Sequence, residues 1–88
     1  MQLLLVEDEL EIQRFLKQSL TDAGYEVDAA TDGRAAAELA SGKRYDVLIV
    51  DLGLPDQDGI DLILQLRRSG MSSPVLILSA RRDRKSVV

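Results

Sequence analysis

The sequence predicts an α/β fold, an open and doubly wound parallel sheet of the flavodoxin-like type. The sheet is expected to be incomplete, with strand order 2-1-3-4. Three observations predict this. The largely aliphatic runs Gln2–Val6, Tyr45–Val50 and Pro74–Leu78 have the pattern of strands covered on both faces. Stretches of helical periodicity alternate with them, which calls for parallel pairing through right-handed crossovers. Gly24, Gly42 and Gly70 punctuate the ends of those stretches.

The first strand runs from about Gln2 to Val6 and leads into Glu7-Asp8. Asp8 and Glu11 form a D-x-x-E capping pattern that opens the first helix. Ile12, Phe15, Leu16 and Leu20 define its apolar face, and Gly24 ends it. Tyr25-Glu26-Val27-Asp28-Ala29 alternates apolar and acidic residues, as a half-exposed edge strand does. That edge character puts the second strand outermost, hence the order 2-1-3-4. A second helix is expected from about Asp32 to Ser41, with Ala36, Leu39 and Ala40 inward and Gly42 at its end. The third strand, Asp46 to Val50, ends in Asp51 and is followed by a loop from Leu52 to Gln57. A third helix spans about Asp58 to Ser69, with Ile60, Ile63, Leu64 and Leu66 on its apolar side and Gly70 as its stop. The fourth strand, Pro74 to Leu78, runs into Ser79-Ala80, and the basic stretch Arg81 to Val88 reads as the start of another helix.

Composition narrows the chemistry. Eighty-eight residues make one domain at most, and with one Phe, two Tyr and no Trp its core must be aliphatic. A net charge of −4 argues against a nucleic-acid-binding surface. The absence of His and Cys excludes a Ser-His-Asp triad, a thiol nucleophile, a disulfide and a Cys/His zinc site. Chemistry must therefore run on carboxylates, hydroxyls, lysine, backbone groups and a hard metal ion. The amino-terminal apolar run is too short for a signal peptide, lacks a preceding basic residue and is followed at once by acids. No stretch approaches the roughly 20 apolar residues of a membrane span. A cytoplasmic protein without membrane association is expected.

Open α/β sheets bind ligands beyond the carboxyl ends of their strands, at the topological switch point. With order 2-1-3-4 that point lies between the first and third strands, where Glu7, Asp8 and Asp51 converge, with Ser79 on the adjoining strand. A carboxylate cluster is costly unless a cation or a chemical task accounts for it. Mg²⁺ suits this set, since it binds through one or two carboxylates, keeps several waters and adds phosphate oxygens readily. Asp51 is then a candidate carboxylate nucleophile toward a phosphoryl group, with Ser79 placed to bond a phosphoryl oxygen. Read singly, each residue has a plainer role. Asp8 serves as a helix cap, Glu7 as a solvated strand end, Ser79 as a loop hydroxyl, and Gly53 and Gly59 as turn residues.

The motifs L-L-L-V-E-D, D-V-L-I-V-D-L-G-L-P-D-Q-D-G and P-V-L-I-L-S-A, in that order and spacing, resemble the receiver domain of bacterial two-component response regulators. The resemblance covers essentially the whole chain and implies a CheY-like fold. It implies that Asp51 is the phosphoacceptor and that Asp8 and Asp51 are ligands of Mg²⁺ or a similar divalent cation such as Mn²⁺. Glu7 would hold the metal through water, Gly53 would offer its backbone carbonyl, and Ser79 would be the switch hydroxyl. Pro55 and Gly59 would shape the loop into the third helix. A sensor histidine kinase is the implied phosphoryl donor. The wording D-L-G-L-P-D-Q-D-G looks most like the branch with winged-helix DNA-binding outputs, so DNA would be met only through an output domain that these 88 residues do not include. Such a protein is a phosphotransfer substrate and switch, with its own acyl-phosphate loss, more than a turnover enzyme.

The chain departs from the family in length. Receiver domains continue through a fourth helix, a fifth strand and a fifth helix, so residues 1–88 correspond to the amino-terminal portion of one. The family's fifth-strand lysine has no counterpart; Lys85 lies only six residues after Ser79, where a fourth helix should begin. Val75 to Leu78 would then form an exposed apolar edge strand, and self-association as a homodimer or domain-swapped assembly is expected. Other classes fit less well. A receiver-like interaction module that never turns over phosphate shares the fold. A haloacid-dehalogenase-like phosphohydrolase would want an acid two residues after its nucleophile, where Gly53 stands. A nucleotide-binding half would want G-x-G-x-x-G where Glu7-Asp8-Glu9 stands. The acidic loop Asp56 to Gly59 fails as an EF-hand, because its first and twelfth ligand positions fall on Leu54 and Gln65.

Overall fold

The computed structural model describes residues 1–78. The chain alternates β1 (Gln2–Val6), α1 (Leu10–Asp22), β2 (Glu26–Ala30), α2 (Gly33–Gly42), β3 (Val47–Asp51), α3 (Gly59–Arg68) and β4 (Val75–Leu78). All strand pairs are parallel and the order is β2-β1-β3-β4, as the sequence predicts. Val6 lies opposite Ala30 on one side and Val50 on the other, while Asp51 lies opposite Leu78. This register brings the carboxyl ends of β1 and β3 out side by side. Ser79, Lys85 and the helix expected from Arg81 to Val88 lie outside the described residues.

Alternation along the strands divides the core into two layers. Leu4, Val6, Leu48 and Val50 point to the α2 and α3 side, where they meet Ala36, Leu54, Leu62 and Leu66. Leu3, Leu5, Val27 and Ile49 point the other way and are covered by Leu16 and Leu20 of α1. Both α1 and α3 end in a glycine of positive φ, Gly24 at 99° and Gly70 at 105°. At each end the residue after glycine donates to the third-last helical carbonyl, Tyr25 to Leu20 and Met71 to Leu66, both at 3.1 Å. These are Schellman closures, which explains the glycines read as helix stops.

Three expectations need correction. The first helix starts at Leu10 with Glu9 in the N-cap position and no side-chain cap bond, so Asp8 is not its cap; its carboxylate is gathered instead with those of Glu7 and Asp51. Phe15 is 70% exposed, because α1 turns the line Ile12, Leu16 and Leu20 to the sheet and leaves Phe15 on its flank. In α3 the buried residues are Gly59, Leu62 and Leu66, whereas Ile60 and Leu64 are exposed. β4 is half covered: Leu76 and Ile77 remain 59% and 46% exposed.

Candidate metal centre

Glu7 extends β1 by one residue, its N–H donating to the Ala30 carbonyl at 3.0 Å. The Gln13 amide on α1 donates to the carbonyls of both Glu7 (3.0 Å) and Ala30 (3.1 Å), tying the ends of β1 and β2 to the helix. The Glu7 carboxylate accepts the Glu9 N–H at 3.0 Å, which turns the chain out of the strand and leaves Asp8 at the corner. Asp51 is the last residue of β3. One of its oxygens, Oδ1, accepts the Gly53 N–H at 3.2 Å, which orients the carboxylate.

Carboxylate oxygens of Glu7, Asp8 and Asp51 all lie within 4.8 Å of one another. Glu7 and Asp51 are 1% and 2% exposed, while Asp8 is the more open of the three. Three acids with only oxygen donors, two of them buried, fit a hard divalent cation such as Mg²⁺ or Mn²⁺ and exclude soft-metal chemistry.

The loop after Asp51 is fixed at both ends. Gly59 packs so tightly that a Cβ would stand 2.7 Å from the Leu52 Cα and 2.9 Å from the Asp51 carbonyl oxygen. Its N–H donates to the Leu52 carbonyl at 3.1 Å, and Asp58 caps α3 by accepting the Ile60 N–H at 2.9 Å. On the other side Asp56 reaches α2. Its two carboxylate oxygens accept the N–H groups of Gly33 (2.9 Å) and Arg34 (3.0 Å). The Gly33 N–H chiefly, and then that of Arg34, hold the Asp56 carboxyl below its ordinary range despite some desolvation.

The structure therefore brings together Glu7, Asp8 and Asp51, with Gly53 bonded to the last. Ser79 lies outside the described residues. Gln13 and Asp56 were not legible as parts of this region. A Gln on a helix carries no signal of the carbonyls it meets, and Asp after Pro55 reads as an ordinary turn residue.

Residues 3–88 match the response regulator receiver domain family. The chain belongs to that family. The receiver's sequence is similar to the virulence transcriptional regulatory protein PhoP of Salmonella typhimurium, with 48% identity over 81 residues. That stretch covers 92% of this receiver but 36% of PhoP, so the chain spans about a third of the relative's length. Among solved structures, the CheY-like receiver domain from Methylobacillus flagellatus superposes with a TM-score of 0.85 at 33% identity, covering 90% of this chain and 69% of that one. The response regulator TrrA of Thermotoga maritima, in complex with Mg²⁺-BeF, gives 0.84 at 30% identity, covering 90% and 69%. The same regulator in complex with histidine kinase ThkA gives 0.83 at 30% identity, covering 90% and 68%. The matching receiver fold bears out the strand order predicted from the sequence. The relative's name is that of a transcriptional regulator, in line with the branch suggested by the wording from Asp51 to Gly59.

Proposed function

We propose that Asp51 of this receiver is the phosphoacceptor of a two-component phosphorelay, working with Mg²⁺ and a sensor histidine kinase. The observation that carries this is the convergence of Glu7, Asp8 and Asp51 within 4.8 Å at the switch point of the sheet. A carboxylate oxygen of Asp51 attacks the phosphorus, a mixed anhydride forms, and the P–N bond of the donor phosphohistidine breaks with its electron pair going to nitrogen. The Gly53 N–H fixes one oxygen of the nucleophile, and the buried walls around Glu7 and Asp51 limit access of water. Mg²⁺, held by Asp8, Asp51 and the Gly53 carbonyl, with Glu7 through water, would neutralise charge on the phosphoryl oxygens. Ser79 is the proposed switch hydroxyl. TrrA's complexes with Mg²⁺-BeF and with a histidine kinase support the cation and the donor by similarity.

The finer parts of the reading follow from the same likeness. The intact protein would act in the cytoplasm and regulate transcription through an output domain. Among the described residues no helix is long and apolar enough to cross a membrane. We also propose that the 88-residue chain self-associates through β4, whose Leu76 and Ile77 are exposed. A monomeric mass by light scattering would sink that part.

Acetyl phosphate, Mg²⁺ and intact-mass measurement test the main reading. One phosphoryl increment is expected, lost with EDTA and lost in Asp51→Asn. A receiver-like interaction module would show no increment under any condition, and a gain that survives Asp51→Asn would move the acceptor elsewhere.

A further inference from the structure

We propose that Asp56 is a positioning residue for the metal centre, clamping the loop that carries Gly53 onto the amino terminus of α2. The inference rests on the reading of Asp51 as the heart of a divalent-cation site, and adds a residue to it.

Two successive N–H groups of the first turn of α2 are satisfied from a distant part of the chain. Asp32, the helix's own cap, accepts the Ala35 N–H at 2.8 Å. The Gly33 and Arg34 N–H groups go to the two oxygens of Asp56, 23 and 22 residues further along. A helix start needs acceptors for its first N–H groups, and its dipole favours an anion there. The contact is also shaped: a Cβ on buried Gly33 would stand 2.2 Å from the Gln57 side-chain nitrogen and 2.7 Å from its Cδ. The Gln57 side chain thus packs over Gly33, and α2 meets the Asp56-Gln57 segment through side-chain packing as well as through charge.

The opposite end of the same loop is locked by Gly59 against the Leu52 backbone. Gly53 lies between Leu52, which Gly59 holds, and Asp56, its N–H on Asp51. With Asp56 released, the loop would keep Leu54 in the core and its Leu52–Gly59 contact but lose its tie to α2, and the orientation of Gly53 and of the Asp51 carboxylate would loosen. Partners bonded directly to metal ligands typically contribute ten- to a hundredfold to affinity, and Asp56, which acts through the loop, is set at the low end of that range. Because coupling is reciprocal, a cation at Asp51 must in turn tighten the Asp56 clamp on α2.

Calorimetric Mg²⁺ titration of the whole chain, with hydrogen exchange read at Gly33 and Arg34, tests this. Asp56→Ala is expected to weaken Mg²⁺ binding about tenfold. Asp56→Asn, which keeps one acceptor oxygen for two donors, should fall between it and the wild type. Asp32→Ala weakens the same turn of α2 without touching the loop, and should leave the affinity within about twofold; it separates positioning from helix stability. In the wild-type chain the Gly33 and Arg34 amides should exchange more slowly once Mg²⁺ is bound, a measurement that stands even where Asp56→Ala does not fold. Wild-type affinity in Asp56→Ala, equal losses in Asp32→Ala and Asp56→Ala, or amide exchange indifferent to Mg²⁺ would each overturn the clamp alone. No Mg²⁺ binding by the wild type, or binding unchanged in Asp51→Asn, would overturn the metal centre and the clamp with it.

Discussion

Asp28 and Asp51 stand on strands of one sheet separated only by β1, and the fold treats them in opposite ways. Asp28 lies on the outermost strand β2, with its side chain 38% exposed. It accepts the Tyr45 hydroxyl at 2.7 Å and pairs with the Lys43 ammonium at 3.0 Å, while Lys43 also sits 5.6 Å from the centre of the Tyr45 ring. Asp51 is buried at the switch point, with carboxylate oxygens of Glu7 and Asp8 gathered beside its own. The first arrangement matches an acid to donors and ties β2 to the segment that leads from α2 into β3. The second concentrates like charge where a cation and a phosphoryl group would be met, and gives up stability for that task. Function in this sheet is marked by the acids that folding alone would keep apart.

Added metal should make the contrast largest. At a Mg²⁺ concentration about a hundredfold above its dissociation constant, wild-type stability should rise by about 2.7 kcal/mol. Asp51→Asn should gain nothing, and EDTA should return the wild type to its starting midpoint in urea. Equal gains in both proteins would show that Mg²⁺ binds elsewhere.

Without metal the two acids should answer the same substitution with opposite signs. Asp51→Asn removes one of three crowded like charges and should stabilise the chain by roughly 1 kcal/mol. Asp28→Asn weakens a charged hydrogen bond and an ion pair, and should destabilise it by about 1 kcal/mol, the exposure of the pair limiting the loss. Urea midpoints at low ionic strength, with EDTA present, measure both. Destabilisation by Asp51→Asn would remove the distinction.

The Asp28 network also has a pH signature. The Tyr45 hydroxyl first, and Lys43 after it, lower the Asp28 carboxyl below its ordinary value. A depressed acid stabilises the fold above its unfolded pKa of about 3.9 and loses that contribution as pH falls through the lower folded value. Burial first, and then the bond to Asp28, push the Tyr45 phenol well above its ordinary value. That contribution is whole below pH about 10 and is lost as pH rises beyond it. The stability difference between wild type and Tyr45→Phe should therefore be widest from about pH 5 to 9 and should close on both sides. Chemical denaturation across pH measures it, and a difference that stays flat below pH about 4 would remove Tyr45 from the acid limb.

What was legible follows the same division. The strand order and the meeting of Glu7, Asp8 and Asp51 could be read because aliphatic runs end in acids and the second strand carries Glu26 and Asp28 at the edge. The order of elements fixes where such strand ends meet. Contacts made by backbone groups left no such trace. The Gly33 and Arg34 N–H groups that hold Asp56 are present in every helix start, and the Gln13 amide meets carbonyls that any residue would supply.

The facing of α3 failed for a different reason. Residues 60, 62, 63, 64 and 66 are all Ile or Leu, so the apolar stripe runs too far round the helix for periodicity to choose an inward line. Rotation is set by Gly59, whose close approach to the Leu52 backbone turns that position toward the sheet. Leu62 and Leu66 follow it at i+3 and i+7 and are buried, with Ile63 half-buried beside them. Ile60 and Leu64 are carried to the outside, 43% and 49% exposed. Leu64→Gln should accordingly have the smallest effect, changing stability by no more than about 0.5 kcal/mol. Gly59→Ala at the pin should cost several times more, since the methyl would meet backbone that cannot step aside. A large loss in Leu64→Gln, read from its urea midpoint against wild type, would mean that α3 is rotated and that Gly59 does not set its facing beside Asp51.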